Sequence, residues 1–122
     1  MFRFNKKEIL KNKISIKKLF CSGSLIKEDY IHLIWLEKDH VSSSQILITV
    51  PKKHISNASK RNSIKRKLKE AIRISKSRLY NKLEASNKFI DIAIIYNNQE
   101  IIPYNLIEEK INILLQRLIN NL

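Results

Sequence analysis

Two apolar runs with strand composition, Gln45–Val50 and Phe89–Tyr96, enclose a stretch of helical character that opens near Ser56 to Ser59 and runs to about Leu83. Strand, long helix and strand in succession place the two strands in parallel through a crossover. That requirement narrows the fold to a sheet with a helix laid on it. The helix has two unlike sides. At about 100° per residue, Asn62, Lys65, Arg66, Lys69, Arg73 and Lys76 fall within roughly a 100° arc, with Ile64, Leu68, Ala71, Ile72 and Leu79 opposite. One side is built to bury and the other to hold positive charge, the pattern of a docked helix that offers its outer face to phosphates.

The remaining segments supply the layers. Residues 1–13 read as a partly ordered basic arm. Ser15 stands as an N-cap for a short helix through Ile16, Leu19 and Phe20, and Gly23, the sole glycine, suits a left-handed turn after it. Ser24 to Ile26 adds an edge strand. Tyr30 to Glu37 is apolar on both alternating faces and reads as a strand covered on both sides. After the polar connection Lys38 to Ser44, the strand Gln45–Val50, closed by Pro51, is expected to pair antiparallel with it. Asn105 with Glu108 forms a loose capping box, and Ile107, Ile111, Leu114, Leu115, Leu118 and Leu122 repeat at helical spacing behind it. That stripe most simply packs on the sheet beside the central helix, with dimerisation as its other use. The expectation is one α+β domain over residues 1–122, a small mixed sheet with helices mainly on one face.

Lys and Arg number 24 against 11 Asp and Glu, a formal charge of +13, and a field of that size favours polyanions. No apolar run approaches the roughly 18 residues that span a bilayer, and the start lacks the pattern of a secretory signal, so a cytoplasmic protein without a membrane partner is expected. One cysteine, Cys21, permits no internal disulfide and no cysteine-held metal. His32, His40 and His54 lack zinc spacing, Asp91 is isolated in an apolar strand where it suits a lysine partner, and one glycine permits no phosphate loop. No cofactor bound by the protein itself is expected. The residues describe a binder better than a self-sufficient enzyme. Two other readings stay open: a small basic metal-independent endoribonuclease working through groups such as Tyr96 or His54, and a ribosomal or general RNA-binding module. Phe20, Tyr30, Trp35 and Tyr96 are rings on which bases of a single strand can stack.

The core K-R-N-S-I-K-R-K-L-K-E-A-I-R, residues 60–73, resembles the signature of the bacterial ribonuclease P protein component, R-N-x-x-K-R-x-x-R-E. Arg61 and Asn62 open it, Lys65 and Arg66 supply its basic pair, and Lys69 with Glu70 closes it. L-I-T-V-P-K-K, K-K-L-F-C-S-G and F-I-D-I-A-I-I are similar to other family segments in the right order, so the resemblance covers nearly the whole chain. It implies a ribosomal protein S5 domain 2-like sandwich with a left-handed β-α-β crossover. It also implies a protein subunit of ribonuclease P, in which a catalytic RNA using Mg2+ removes the 5′ leader of precursor tRNA. Lys52, Lys53, Arg61, Asn62, Lys65, Arg66, Lys69 and Arg73 would meet that RNA, as one protein to one RNA. Phe20, Tyr30, His32 and Ile34 would line a cleft for the single-stranded leader. The sequence departs from the pattern at Ser63 and Lys69, where arginine is usual, at Ile16 and Ile34, where aromatics are common, and at Pro51, where a small residue is frequent.

Overall fold

A computed structural model describes residues 6–38 and 44–122, so Phe2, Phe4, His40 and most of the polar connection lie outside the described residues. Four strands, β1 (Ser24–Glu28), β2 (Ile31–Lys38), β3 (Gln45–Thr49) and β4 (Phe89–Tyr96), form a mixed sheet in the order β1-β2-β4-β3. β4 runs antiparallel to β2 and parallel to β3, so the crossover expected from strand, helix and strand is present. The direct pairing of β2 with β3 is not, because β4 lies between them. Burial accounts for this. Six of the eight residues of β4 are buried, from both faces of the strand, and only the middle of the sheet gives such a strand neighbours on both edges and cover on both sides. The outer edge of β2 is taken by β1, through a tight turn in which Asp29 has a φ of 38°.

The helices are α1 (Lys13–Ser22), α2 (Ala58–Ser86) and α3 (Tyr104–Asn121). Ile64, Leu68, Ile72 and Leu79 of α2, with Ile107, Ile111, Leu114, Leu115 and Leu118 of α3, join Ile31 and Leu33 of β2 and Ile90, Ile92 and Ile94 of β4 in the main core. The other sheet face carries a smaller cluster, in which Leu19 and Ile16 of α1 meet Ile34, Leu36, Leu47, Ala93 and Leu10. The sheet therefore has two helices on one side and α1 on the other.

The ends of the helices differ from expectation in instructive ways. α1 is capped by Asn12, whose Oδ1 accepts the Ser15 N–H at 3.0 Å, so Ser15 lies inside the first turn. Gly23 has a φ of −72° and makes no left-handed turn. Its place is fixed by crowding: an added Cβ would collide with the Leu19 carbonyl oxygen and the Ile34 Cγ2, and would lie 3.0 Å from the Trp35 carbonyl oxygen. The left-handed cap occurs instead at Asn87, with a φ of 53°, at the end of α2. α3 begins behind Pro103 with no side-chain cap, and Asn105 is already helical, so the Asn105–Glu108 box does not form. The described part of the segment read as an arm forms a 3-10 turn over Lys6–Glu8 and a parallel bridge from Ile9 to Ile46.

Candidate nucleic-acid interface

α2 turns its cations outward by burying the residues between them. Ile64, Leu68, Ala71 and Ile72 are fully buried, which leaves Asn62, Arg66 and Lys69 exposed and Lys65 half-buried on the flank. The helix start is held by Asn57, which accepts the Lys60 N–H at 3.0 Å. Arg61 does different work from its neighbours: its Nη1 donates to the carbonyls of Ile55 at 2.9 Å and Ser56 at 2.7 Å, bracing the entry to the helix. Lys52 and Lys53 stand exposed in the turn that leads there from β3. Arg73 closes the surface and is engaged by Glu70, its Nε lying 3.0 Å from Glu70 Oε2, and that bond holds the Glu70 carboxyl below its usual range.

Several carboxylates are engaged away from these cations. Asp91 pairs with Lys38 at 2.8 Å, the lysine partner expected for it, while Glu28 pairs with Arg117 at 2.7 Å and Asp29 with Lys110 at 2.8 Å. Among the described residues no ion pair joins Lys52, Lys53, Lys65, Arg66 or Lys69 to a carboxylate. The surface thus keeps its positive charge for an external anion.

Lys76 was expected on this face and is not there. It is 2% exposed, and its Nζ lies 2.6 Å from Glu8 Oε2, with the ammonium 5.5 Å from the centre of the Tyr80 ring. The Tyr80 hydroxyl donates to the same Glu8 oxygen at 2.5 Å, and burial, followed by that bond, pushes the phenol far above its ordinary range. The cause is long-range, since Glu8 arrives from 68 residues earlier in the chain to neutralise the lysine. The only sequence signal was that Lys76 sits between the core positions Ile72 and Leu79.

The second set of predicted residues divides. Phe20 is 43% exposed on α1, while Ile34 and His32 project from β2 on the sheet face that α1 covers. All three thus lie on the α1 side of the sheet. Tyr30 does not join them. It precedes β2 at the turn, packs against the main core on the opposite layer, and its hydroxyl lies 3.5 Å from the Leu106 carbonyl oxygen on α3. His32 is opposite Lys27 of β1, and desolvation first, then the Lys27 charge, lowers its pKa below the ordinary 6.5. Its Nε2 is 3.4 Å from the Asn97 side-chain nitrogen.

Tyr96, a residue that a self-sufficient nuclease would need, is buried; its hydroxyl donates to the Glu100 carbonyl and accepts the Ile102 N–H at 3.1 Å. Burial raises its pKa, so it is built as a structural anchor for the turn before α3. Among the described residues no group of three or more His, Cys, Asp or Glu side chains is placed to hold a metal ion. No helix among them is long and apolar enough to cross a membrane.

An α/β sandwich that pairs several of its acids elsewhere and, among the described residues, leaves a row of outward cations without a carboxylate partner has the build of a polyanion-binding protein. Its likeness to known proteins makes this specific. The family model described as Ribonuclease P matches residues 4–119. The ribonuclease P protein component of Chlorobium phaeobacteroides is 33% identical over 101 residues, which are 75% of this chain and 69% of that protein. The RNase P protein of Staphylococcus aureus superposes with a TM-score of 0.75 at 19% identity, covering 91% of this chain and 94% of that one. The RNase P protein of Thermotoga maritima gives a TM-score of 0.68 at 23% identity, covering 90% and 96%. The chain belongs to the ribonuclease P protein family. It is accordingly a subunit of the tRNA-processing ribonucleoprotein endoribonuclease and associates with the RNA subunit of that enzyme.

Proposed function

We propose that the outer face of α2 docks the catalytic RNA and that the cleft between α1 and the sheet takes the single-stranded 5′ leader of precursor tRNA, with one protein on each RNA. The observation that carries the first half is the row Asn62, Lys65, Arg66 and Lys69, extended by Lys52 and Lys53, which meets no carboxylate among the described residues. Arg61 shapes this surface from beneath, and Arg73 with Glu70 marks its end. For the second half, Phe20 offers an exposed ring to stack on a base, and Ile34 gives an apolar floor beside His32.

In this reading Mg2+ held by the RNA supplies the cleavage chemistry. The protein's own groups bind and orient: cations neutralise phosphates, and Phe20 fixes a leader base. Reconstitution tests it. The protein alone should leave precursor tRNA uncut, and addition of the catalytic RNA with Mg2+ at low salt should give cleavage at the 5′ end of the tRNA. Cleavage by RNA-free protein at a comparable rate would overturn the assignment of roles.

A further inference from the structure

The cations of α2 do not all point the same way. Lys65, Lys69 and Lys76 fall within roughly a 40° arc on the flank of the helix that runs along β3 and the N-terminal segment. Glu8 neutralises Lys76, but Ile9 follows it, and the next lysines along the flank face no acid. Between them lies a cavity of about 400 Å3 lined by Ile9, Ile46, Leu47, Ile48, Lys65 and Lys69. β3 is an edge strand there. Its outer side is bridged by Ile9 and bonded by the Leu10 N–H only at Ile46, at 3.1 Å, so Ile48, two residues on, turns its backbone N–H and carbonyl into the same groove.

We propose that this groove receives one unpaired nucleotide of the catalytic RNA, its base against the isoleucines and a phosphate between Lys65 and Lys69. A nucleobase has apolar faces and a rim of donors and acceptors. The groove offers an apolar lining, a strand-edge donor and acceptor at Ile48, and two lysines one helical turn apart in its wall. An extended acidic peptide adding to β3 would use the same edge. The open part of that edge is short, however, because Ile46 is already occupied and Pro51 ends the usable backbone, which leaves less than an ordinary strand of about 5 to 6 residues. The site rests on the reading of α2 as the face for the catalytic RNA, and it adds a pocket that holds a base to a surface that otherwise binds only by charge.

Ile9→Trp tests it, since an indole fills the groove without removing a cation. Binding of the catalytic RNA should weaken about ten-fold, the order expected for one displaced base, with an unchanged dependence on salt. Arg66→Ala should weaken binding and flatten that dependence. A benzoylphenylalanine placed at Ile9 should crosslink to the base of a single unpaired nucleotide, whereas the same probe at Ile14, exposed on α1, should not. If Arg66→Ala weakens binding but Ile9→Trp binds as the wild type and position 9 gives no crosslink, the groove holds no base and α2 still docks RNA. If neither substitution weakens binding, the reading of α2 falls with it. Should Ile9→Trp lower the melting temperature, the crosslink decides, and a yield at position 9 no higher than at Ile14 overturns the proposal.

Discussion

At the scale of single residues, charge is decided by what can reach it. Lys76 and Arg66 belong to one helix and nearly one sequence pattern, yet one is buried in an ion pair and the other stands in solvent. Lys76→Met should therefore destabilise the fold by about 3–5 kcal/mol in urea denaturation, because it removes the buried ammonium that lies 2.6 Å from the Glu8 carboxylate. Adding Glu8→Gln, which keeps an acceptor for the Tyr80 hydroxyl, should recover most of that loss. His32 carries a second prediction. Desolvation and the Lys27 charge lower its pKa from the ordinary value, so the free protein favours the neutral imidazole more than an exposed histidine would. A leader phosphate beside it would favour the imidazolium and raise the pKa, so binding takes up a proton. Leader affinity should rise as pH falls through the pKa of the complex and level off below that of the free protein. His32→Gln should abolish this dependence in a fluorescence titration with leader RNA; a wild-type affinity that does not change with pH would argue against a phosphate at that place.

At the scale of elements, α2 separates stability from binding by face. Leu68→Ala should cost about 2–5 kcal/mol of stability, as for other large truncations in a core. Arg66→Ala, exposed one helical face away, should leave the melt nearly unchanged and reduce the log-log salt slope for RNA binding by about 0.7 to 0.9. The opposite outcome, a large loss of stability from Arg66→Ala, would mean the faces are inverted. The separation was legible in the sequence because it depends only on helical periodicity and on a buried side that packs against any sheet. The existence of β1, β3, β4 and α2 was legible for the same reason, as local pattern and flanking residues set them. Strand order was not, since the insertion of β4 between β2 and β3 depends on which strand gains most from central burial. Nor was the role of Gly23: the atoms that crowd it belong to α1 and to β2, brought together only by folding. Tyr30 was misplaced by the same gap, because strand alternation assigns a face within β2 but not at the turn before it, where α3 holds the ring.

At the scale of the molecule, the two proposed contacts occupy opposite layers. The α2 row lies on the helix-pair side of the sheet, and Phe20 with Ile34 lies on the α1 side. The sheet that separates them has β4 buried at its centre, and α2 and α1 reach it through different core clusters. A protein built this way can hold the catalytic RNA on one side and a substrate strand on the other, without either competing for the same cations. Substitutions on opposite layers share no partner, and effects at such sites add to within about 0.3–0.5 kcal/mol. Arg66→Ala should therefore weaken binding of the catalytic RNA, and Phe20→Ala should weaken binding of precursor tRNA to the assembled enzyme without altering its affinity for a tRNA lacking the leader. In the double variant, measured at saturating catalytic RNA, the loss for precursor tRNA should equal that of Phe20→Ala alone. A further loss beyond that margin would show that the two faces are coupled through the sheet, and that a single RNA surface spans both.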